Sequence, residues 1–187
     1  MFTVKGVSLK RGERMVLPVA EYELAYRDVY VLVGDGSYLM MSAEIATSIQ
    51  ERCKLTIVLL DSHGFASIGG LSRSLGSGGF GTEYRYRNKQ TGQLDGDLLR
   101  VDYVASAAAL GARAVRATTR GDLRAGLEEA RGADRTTVIV VEVDPEARVP
   151  SYGSWWDVPV AEVSTMPSVQ QARLEYEQAR QKERDFL

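Results

Sequence analysis

Two short polar segments carry residue types that could hold a charged ligand. They are Gly34-Asp35-Gly36 and, further on, Asp61-Ser62-His63-Gly64-Phe65. A carboxylate between two glycines repels a bare phosphate. It suits a divalent cation that bridges to phosphate oxygens, and magnesium takes octahedral oxygen donors, usually one or two protein carboxylates with phosphate and water. Gly34 and Gly36 let backbone run close to such a ligand. Ser37 opens an apolar-periodic run, so free backbone N–H groups of a helix start can face phosphate oxygens there. The Ser62 hydroxyl and the Gly64 carbonyl can complete a shell of oxygen donors. Glycine-aspartate-glycine also serves as a plain tight turn with a cap. The second polar turn, at the spacing of one βαβ unit, favours the ligand reading.

These segments need elements that bring them together. Val29–Val33 is an apolar, β-branched run of the kind buried on both faces of a parallel sheet. Ser37–Arg52 has helical spacing with Leu39, Ile45 and Ile49 among its apolar positions, and Leu55–Leu60 is a second buried strand. Val101–Leu110 reads as a helix stopped by Gly111, and Ala114–Ala117 as a short strand. Thr119–Ala130 reads as a helix with Thr119 as N-cap and Asp122 behind it, and Thr137–Val143 as a strand closed by Asp144-Pro145. This alternation predicts an α/β fold, a parallel sheet with helices on both faces, and ligands bind beyond the carboxyl ends of such strands. The division expected is an irregular lead-in over 1–28, with a short helix near Val19–Tyr26, a binding domain over 29–164 and a C-terminal charged helix over 165–187. The thin apolar stripe of that helix places it on a partner or a neighbouring subunit.

Other residues have two readings each. The glycine-rich stretch Asp61–Leu99 reads as a long functional loop with little regular structure. His63, the only histidine, is either a proton relay near a cofactor or an exposed loop residue. Arg73, Arg85 and Arg87 either contact a polyhydroxylated substrate or phosphate, or are solvated. Trp155 and Trp156 line a site or pack a core or interface, Glu44 makes a surface pair, and Asp95 and Asp97 are turn residues.

A chain of 187 residues is long enough for one domain with a sizeable core. A net charge of −2 gives no field for nucleic acid or anionic membrane. No apolar run is long enough to span a bilayer, and the first residues lack the apolar stretch of a signal peptide. The single cysteine, Cys53, reads as a structural mid-helix residue; it permits no intrachain disulfide and fits a reducing cytoplasm. Neither a GxGxxG that directly follows a strand and opens a helix nor a P-loop lysine pattern is present, which counts against other nucleotide binders.

The order GDG, a helix, a strand and then a polar pair before Gly64 resembles the thiamine-diphosphate fingerprint of pyruvate-decarboxylase-like and acetolactate-synthase-like enzymes. AEIATSIQ is similar to the helix that follows that motif. GFGTEYRYRNKQTGQLDGD and SWWDVPVAEVS resemble stretches of the 3D-(3,5/4)-trihydroxycyclohexane-1,2-dione hydrolases of inositol catabolism, so the resemblance runs from Val29 to Ser164. Met1–Asp28 does not share it. The resemblance implies a thiamine-diphosphate-dependent hydrolase that opens a cyclic 1,2-diketone by C–C cleavage, and that this chain corresponds to the last, diphosphate-binding domain. Carried over by position, it implies Asp35, Ser62 and the Gly64 carbonyl as Mg2+ ligands. Gly34, Gly36 and Ser37 then lie against the diphosphate, with Leu39, Met40 and Phe65 near the cofactor. Ser62 stands where the family has asparagine, and a hydroxyl is a shorter, weaker ligand than an amide carbonyl. The first-domain glutamate that activates the aminopyrimidine has no counterpart here. The expectation is therefore weak cofactor binding and little turnover by the chain alone, with a homo-oligomer or a partner chain supplying the missing domain. The alternative is a non-catalytic remnant that keeps the fold.

Overall fold

The computed structural model describes residues 28–79, 81–147 and 157–183. The lead-in helix near Val19–Tyr26 and the tryptophans Trp155 and Trp156 lie outside them. Four strands form one sheet: β1 (Val29–Gly34), β2 (Leu55–Asp61), β3 (Arg113–Ala117) and β4 (Thr137–Glu142). All pair in parallel, in the order β1-β2-β4-β3. β4, the last strand among the described residues, is thus inserted between β2 and β3. Its Val138, Ile139 and Val140 have no exposed surface, as an apolar run buried on both faces requires.

The helices follow from the two faces of that sheet. α1 (Asp35–Met41), α2 (Glu44–Gln50) and α4 (Tyr103–Ala109) cover one face. There Ile57, Leu59, Val138 and Val140 pack with Tyr38, Ile45, Tyr103 and Ala107. Ile139 points to the opposite face, where α5 (Arg120–Gly132) approaches through Gly126; a methyl there would lie 3.2 Å from Ile139 Cδ1. α5 opens with the expected cap, Thr119 accepting from the Asp122 N–H and Asp122 reaching back to Thr119. Gly111, at φ +94°, ends α4 as expected. No helix among the described residues is long and apolar enough to cross a membrane.

Several local expectations change. β1 is an edge strand among the described residues rather than a strand buried on both faces: Tyr30 is 48% and Leu32 72% exposed. An apolar run marks a strand without saying where in the sheet it lies. The helix expected over Ser37–Arg52 begins at Asp35 and divides into α1 and α2. The Ile45 and Ala46 N–H groups bond back to Ser42 and Ala43 carbonyls, an i→i−3 tightening that hydrophobic period does not reveal. Cys53 lies beyond α2 and is exposed, not the structural mid-helix residue expected.

The glycine-rich stretch is more regular than expected. It contains α3 (Ala66–Ser74), whose Gly69 and Gly70 are buried. A methyl at Gly69 would lie 2.8 Å from Thr82 Oγ1, so tertiary contact sustains a helix that glycine propensity disfavours. The charged helix α6 (Pro167–Arg180) packs on its own chain. Val169 and Tyr176 are buried with Val160 and Leu75, Ser168 Oγ donates to the Gly76 carbonyl at 2.7 Å, and Arg173 donates to the Val160 carbonyl at 3.0 Å.

Candidate functional site

β1 and β2 are parallel neighbours, with Gly34 beside Leu60. The residue after each strand end therefore falls at the same edge. Asp35, the first residue of α1, has no exposed surface. Its Oδ1 accepts from Ser62 Oγ at 2.9 Å and from the Ser62 N–H at 3.3 Å. Its Oδ2 accepts from the Gly64 N–H at 2.7 Å and from the Tyr103 hydroxyl at 3.3 Å. Ser62 Oγ also lies 3.4 Å from the Gly64 carbonyl oxygen, so its single proton has two acceptors. The three residues read from sequence as ligands, Asp35, Ser62 and Gly64, are thus brought into one cluster.

The donor set suits a hard cation. A carboxylate, a hydroxyl and a carbonyl are all oxygen donors, and magnesium takes few protein carboxylates. Asp35 has four neutral donors and no cationic side chain in ion-pair range among the described residues. A buried carboxylate without a cationic partner is a costly arrangement that a bound metal relieves. Among the described residues no three His, Cys, Asp or Glu side chains cluster to offer a metal site of the histidine or thiolate type.

An open cleft of about 740 Å³ lies beside this cluster. Gly34, Gly36, Ser37, Ser62, Gly64 and Phe65 line one side, and Ile68, Leu71, Val143 and Pro145 are among its apolar lining. Gly36 lies under the Phe65 ring: a methyl there would be 2.6 Å from Phe65 Cδ1. Phe65 in turn meets Tyr84 edge-on at 6.0 Å. Leu39 and Met40 are exposed on α1 and do not line the cleft.

His63 is not the exposed loop residue of one of its two readings. It has φ +58°, and its ring is largely buried between Asp61 and Glu142, Nδ1 3.2 Å from Asp61 Oδ1 and Nε2 3.4 Å from Glu142 Oε1. It joins the ends of β2 and β4 and does not line the cleft. Burial pushes the Asp61 carboxyl up, against the opposing pull of His63.

Tyr103 was not legible as a site residue. Burial first, and then the nearby Asp35 charge, raise its hydroxyl well above the usual tyrosine range, so it stays a hydrogen-bond donor. The one available signal was an aromatic side chain opening the otherwise small-residue helix YVASAAA. Tyr84 is pushed up by the same two causes in the same order.

Among the arginines, Arg73 and Arg85 both hold Glu83, and Arg73 also reaches Glu146 at 3.1 Å. Arg87 donates to the Gly92 carbonyl. Asp95 accepts from Thr91 at 3.1 Å, the Asp97 carbonyl accepts from the Tyr86 N–H, and Glu44 is exposed in the first turn of α2. The hydrogen bond from Arg85, opposed by burial, holds Glu83 below its ordinary 4.5. A depressed carboxyl stabilises the fold above its unfolded pKa, and that stabilisation is lost as pH falls through the folded value. Glu83→Gln is therefore expected to lower stability at pH 7 by less than about 1 kcal/mol, because the pair is partly solvated. The difference from the natural chain should shrink as pH falls below 4.5. Urea unfolding at several pH values checks this, and a gap that widens in acid contradicts it.

The family described as thiamine pyrophosphate enzyme, C-terminal TPP binding domain, matches residues 15–141. The chain belongs to this family. The match begins inside the segment Met1–Asp28, so part of that lead-in does belong to the family pattern. This TPP-binding domain is 43% identical over 146 residues to 3D-(3,5/4)-trihydroxycyclohexane-1,2-dione hydrolase 2 of Bacillus cereus, which covers 78% of the chain and 23% of that protein. It is 42% identical over the same shares to the trihydroxycyclohexanedione hydrolase of Bacillus thuringiensis. The chain thus spans about a quarter, 23%, of the length of the curated relatives it matches. Among solved structures it is similar to benzoylformate decarboxylase from Polynucleobacter necessarius, with 27% identity and TM-score 0.50 over 65% of this chain and 20% of that one. The thiamine diphosphate-dependent 4-hydroxybenzoylformate decarboxylase of Rhodococcus jostii gives 25% identity and TM-score 0.50 over 63% and 20%. The TPP-binding domain therefore keeps the α/β architecture of that family.

Proposed function

We propose that this TPP-binding domain holds thiamine diphosphate through Mg2+ and serves a hydrolase of the trihydroxycyclohexane-1,2-dione type. The substrate is a small cyclic 1,2-diketone opened by C–C cleavage in inositol catabolism, in the cytoplasm. The observation that carries the cofactor reading is the buried Asp35 carboxylate meeting Ser62 and Gly64 beside a cleft. Asp35, the Ser62 hydroxyl and the Gly64 carbonyl would hold the metal, and the backbone of Gly34, Gly36 and Ser37 would face the diphosphate, with Phe65 closing on Gly36. When bound, thiamine diphosphate supplies the carbon centre that stabilises negative charge as a bond next to a ketone breaks. The chain's own residues bind and orient. Asp35 is held out of water, Phe65 and Ile68 present apolar walls, and Ser62, while donating its proton to Asp35, keeps oxygen lone pairs that could face a cation.

The acid-base group that activates the cofactor is proposed to come from outside these residues, in another chain or another part of the assembly. The length relation to the relatives, 23%, supports this. Ser62, where the family has asparagine, favours a second reading: a remnant that keeps the fold and binds cofactor weakly. Titration calorimetry of the chain with thiamine diphosphate, with and without MgCl2, separates the two. Heat that requires Mg2+ is expected. No binding by the folded chain supports the remnant.

A further inference from the structure

We infer that the Tyr103 hydroxyl is a positioning group for the cation site, holding Asp35 Oδ2 so that Oδ1 is the oxygen offered to metal. The inference rests on reading Asp35 as a metal ligand. The two carboxylate oxygens have different partners. Oδ2 is bound by the Gly64 N–H at 2.7 Å and by the Tyr103 hydroxyl at 3.3 Å. Neither partner can turn into a metal ligand at that point, since one is a backbone N–H and the other is fixed by a ring with 1% exposure. Oδ1 accepts from the Ser62 N–H at 3.3 Å and from the Ser62 hydroxyl at 2.9 Å, and that hydroxyl can rotate its proton toward the Gly64 carbonyl 3.4 Å away and release one lone pair of Oδ1. Each oxygen keeps one backbone N–H, but the second donor is a fixed ring hydroxyl on Oδ2 and a rotatable serine hydroxyl on Oδ1.

The clamp is itself braced. The Tyr103 ring meets the Tyr38 ring edge-on at 5.6 Å, a contact between rings that needs no hydroxyl on Tyr38. Asp102 caps α4 by accepting from the Ala105 N–H at 3.0 Å, which fixes the turn that carries Tyr103. Groups that orient a metal ligand without touching the metal commonly change metal affinity by 10–100-fold.

The test uses the full chain. Mg2+ is titrated calorimetrically in the presence of thiamine diphosphate, and Mn2+ alone is followed by electron paramagnetic resonance, for the natural chain, Tyr103→Phe and Tyr38→Phe. Tyr103→Phe keeps the ring and loses only the hydroxyl. It is expected to weaken affinity for both metals about tenfold, while Tyr38→Phe, which has no bond to Asp35, leaves it unchanged. A merely structural role would lower the unfolding midpoint of Tyr103→Phe equally with and without metal, and would leave the affinity of the folded chain alone. Should Tyr103→Phe fold poorly, para-aminophenylalanine at 103 retains a donor and is expected to keep affinity within twofold to threefold of the natural chain. An affinity change below twofold in Tyr103→Phe, or an equal loss in Tyr38→Phe, overturns the inference alone. Absence of metal-dependent binding in the natural chain overturns the reading of Asp35 and this inference with it.

Discussion

Asp35→Ala is expected to abolish Mg2+-dependent binding of thiamine diphosphate, a loss greater than about 100-fold given what indirect changes around metal ligands already cost. The substitution removes the one carboxylate of the donor set and the only negative side chain in it. It also leaves the Ser62 and Gly64 N–H groups and the Tyr103 hydroxyl without their acceptor. Each unsatisfied buried donor costs about 1–3 kcal/mol, offset by relief of a buried, uncompensated charge. Stability without metal therefore changes by less than the sum of the lost bonds. Asp35→Asn separates the two effects: it keeps one acceptor oxygen and the shape while removing the charge. Calorimetry on both variants, beside urea unfolding in EDTA, is the measurement. Metal-dependent binding that survives in folded Asp35→Ala would place the cation elsewhere, whereas weakened binding in Asp35→Asn would measure the share of the charge.

Gly64→Ala should cost roughly 3 kcal/mol of stability, combining backbone strain with overpacking. Gly64 lies at φ +148°, a conformation that a residue with a side chain rarely adopts. A methyl there would overlap the Thr82 carbonyl oxygen and sit 2.9 Å from Glu83 Cα. Both are backbone atoms, held by the bond from the Phe65 N–H to Thr82 and by the Gly64–Glu83 bridge. Relief therefore requires moving the turn that donates to Asp35. A urea midpoint within the error of the natural chain would show that the turn yields easily.

Much of this arrangement was legible before any coordinates. Gly34, Asp35 and Gly36 follow an apolar run, Ser62 and Gly64 follow the next one, and parallel pairing of the two runs suffices to bring them together. Thr119 with Asp122, and Gly111, announce the ends of their helices because capping is local chemistry. What escaped was non-local. β1 reads like a central strand because an apolar run carries no information on strand order. α3 was hidden because Gly69 and Gly70 disfavour a helix unless a neighbour such as Thr82 needs the close approach. Tyr103 is 68 residues from Asp35, and no periodicity links them. Among the described residues α6 buries only Val169 and Tyr176, on paper too thin a stripe to predict a partner within the chain.

The placement of β4 at the centre of the sheet has a kinetic consequence. β1 and β2 can pair early, since they are close in the chain, and this alone sets Asp35 beside Ser62. The helix that carries Tyr103, however, is buried against Val138 and Val140 of the last strand. Loop closure over such separations is slow compared with local pairing. The carboxylate is therefore expected to be fully clamped only once β4 has joined the sheet, after β1 and β2 have paired. In a partly folded sample the apparent affinity falls with the fraction of competent molecules, so metal-dependent binding followed during refolding, beside a probe of β1–β2 pairing, tests that order.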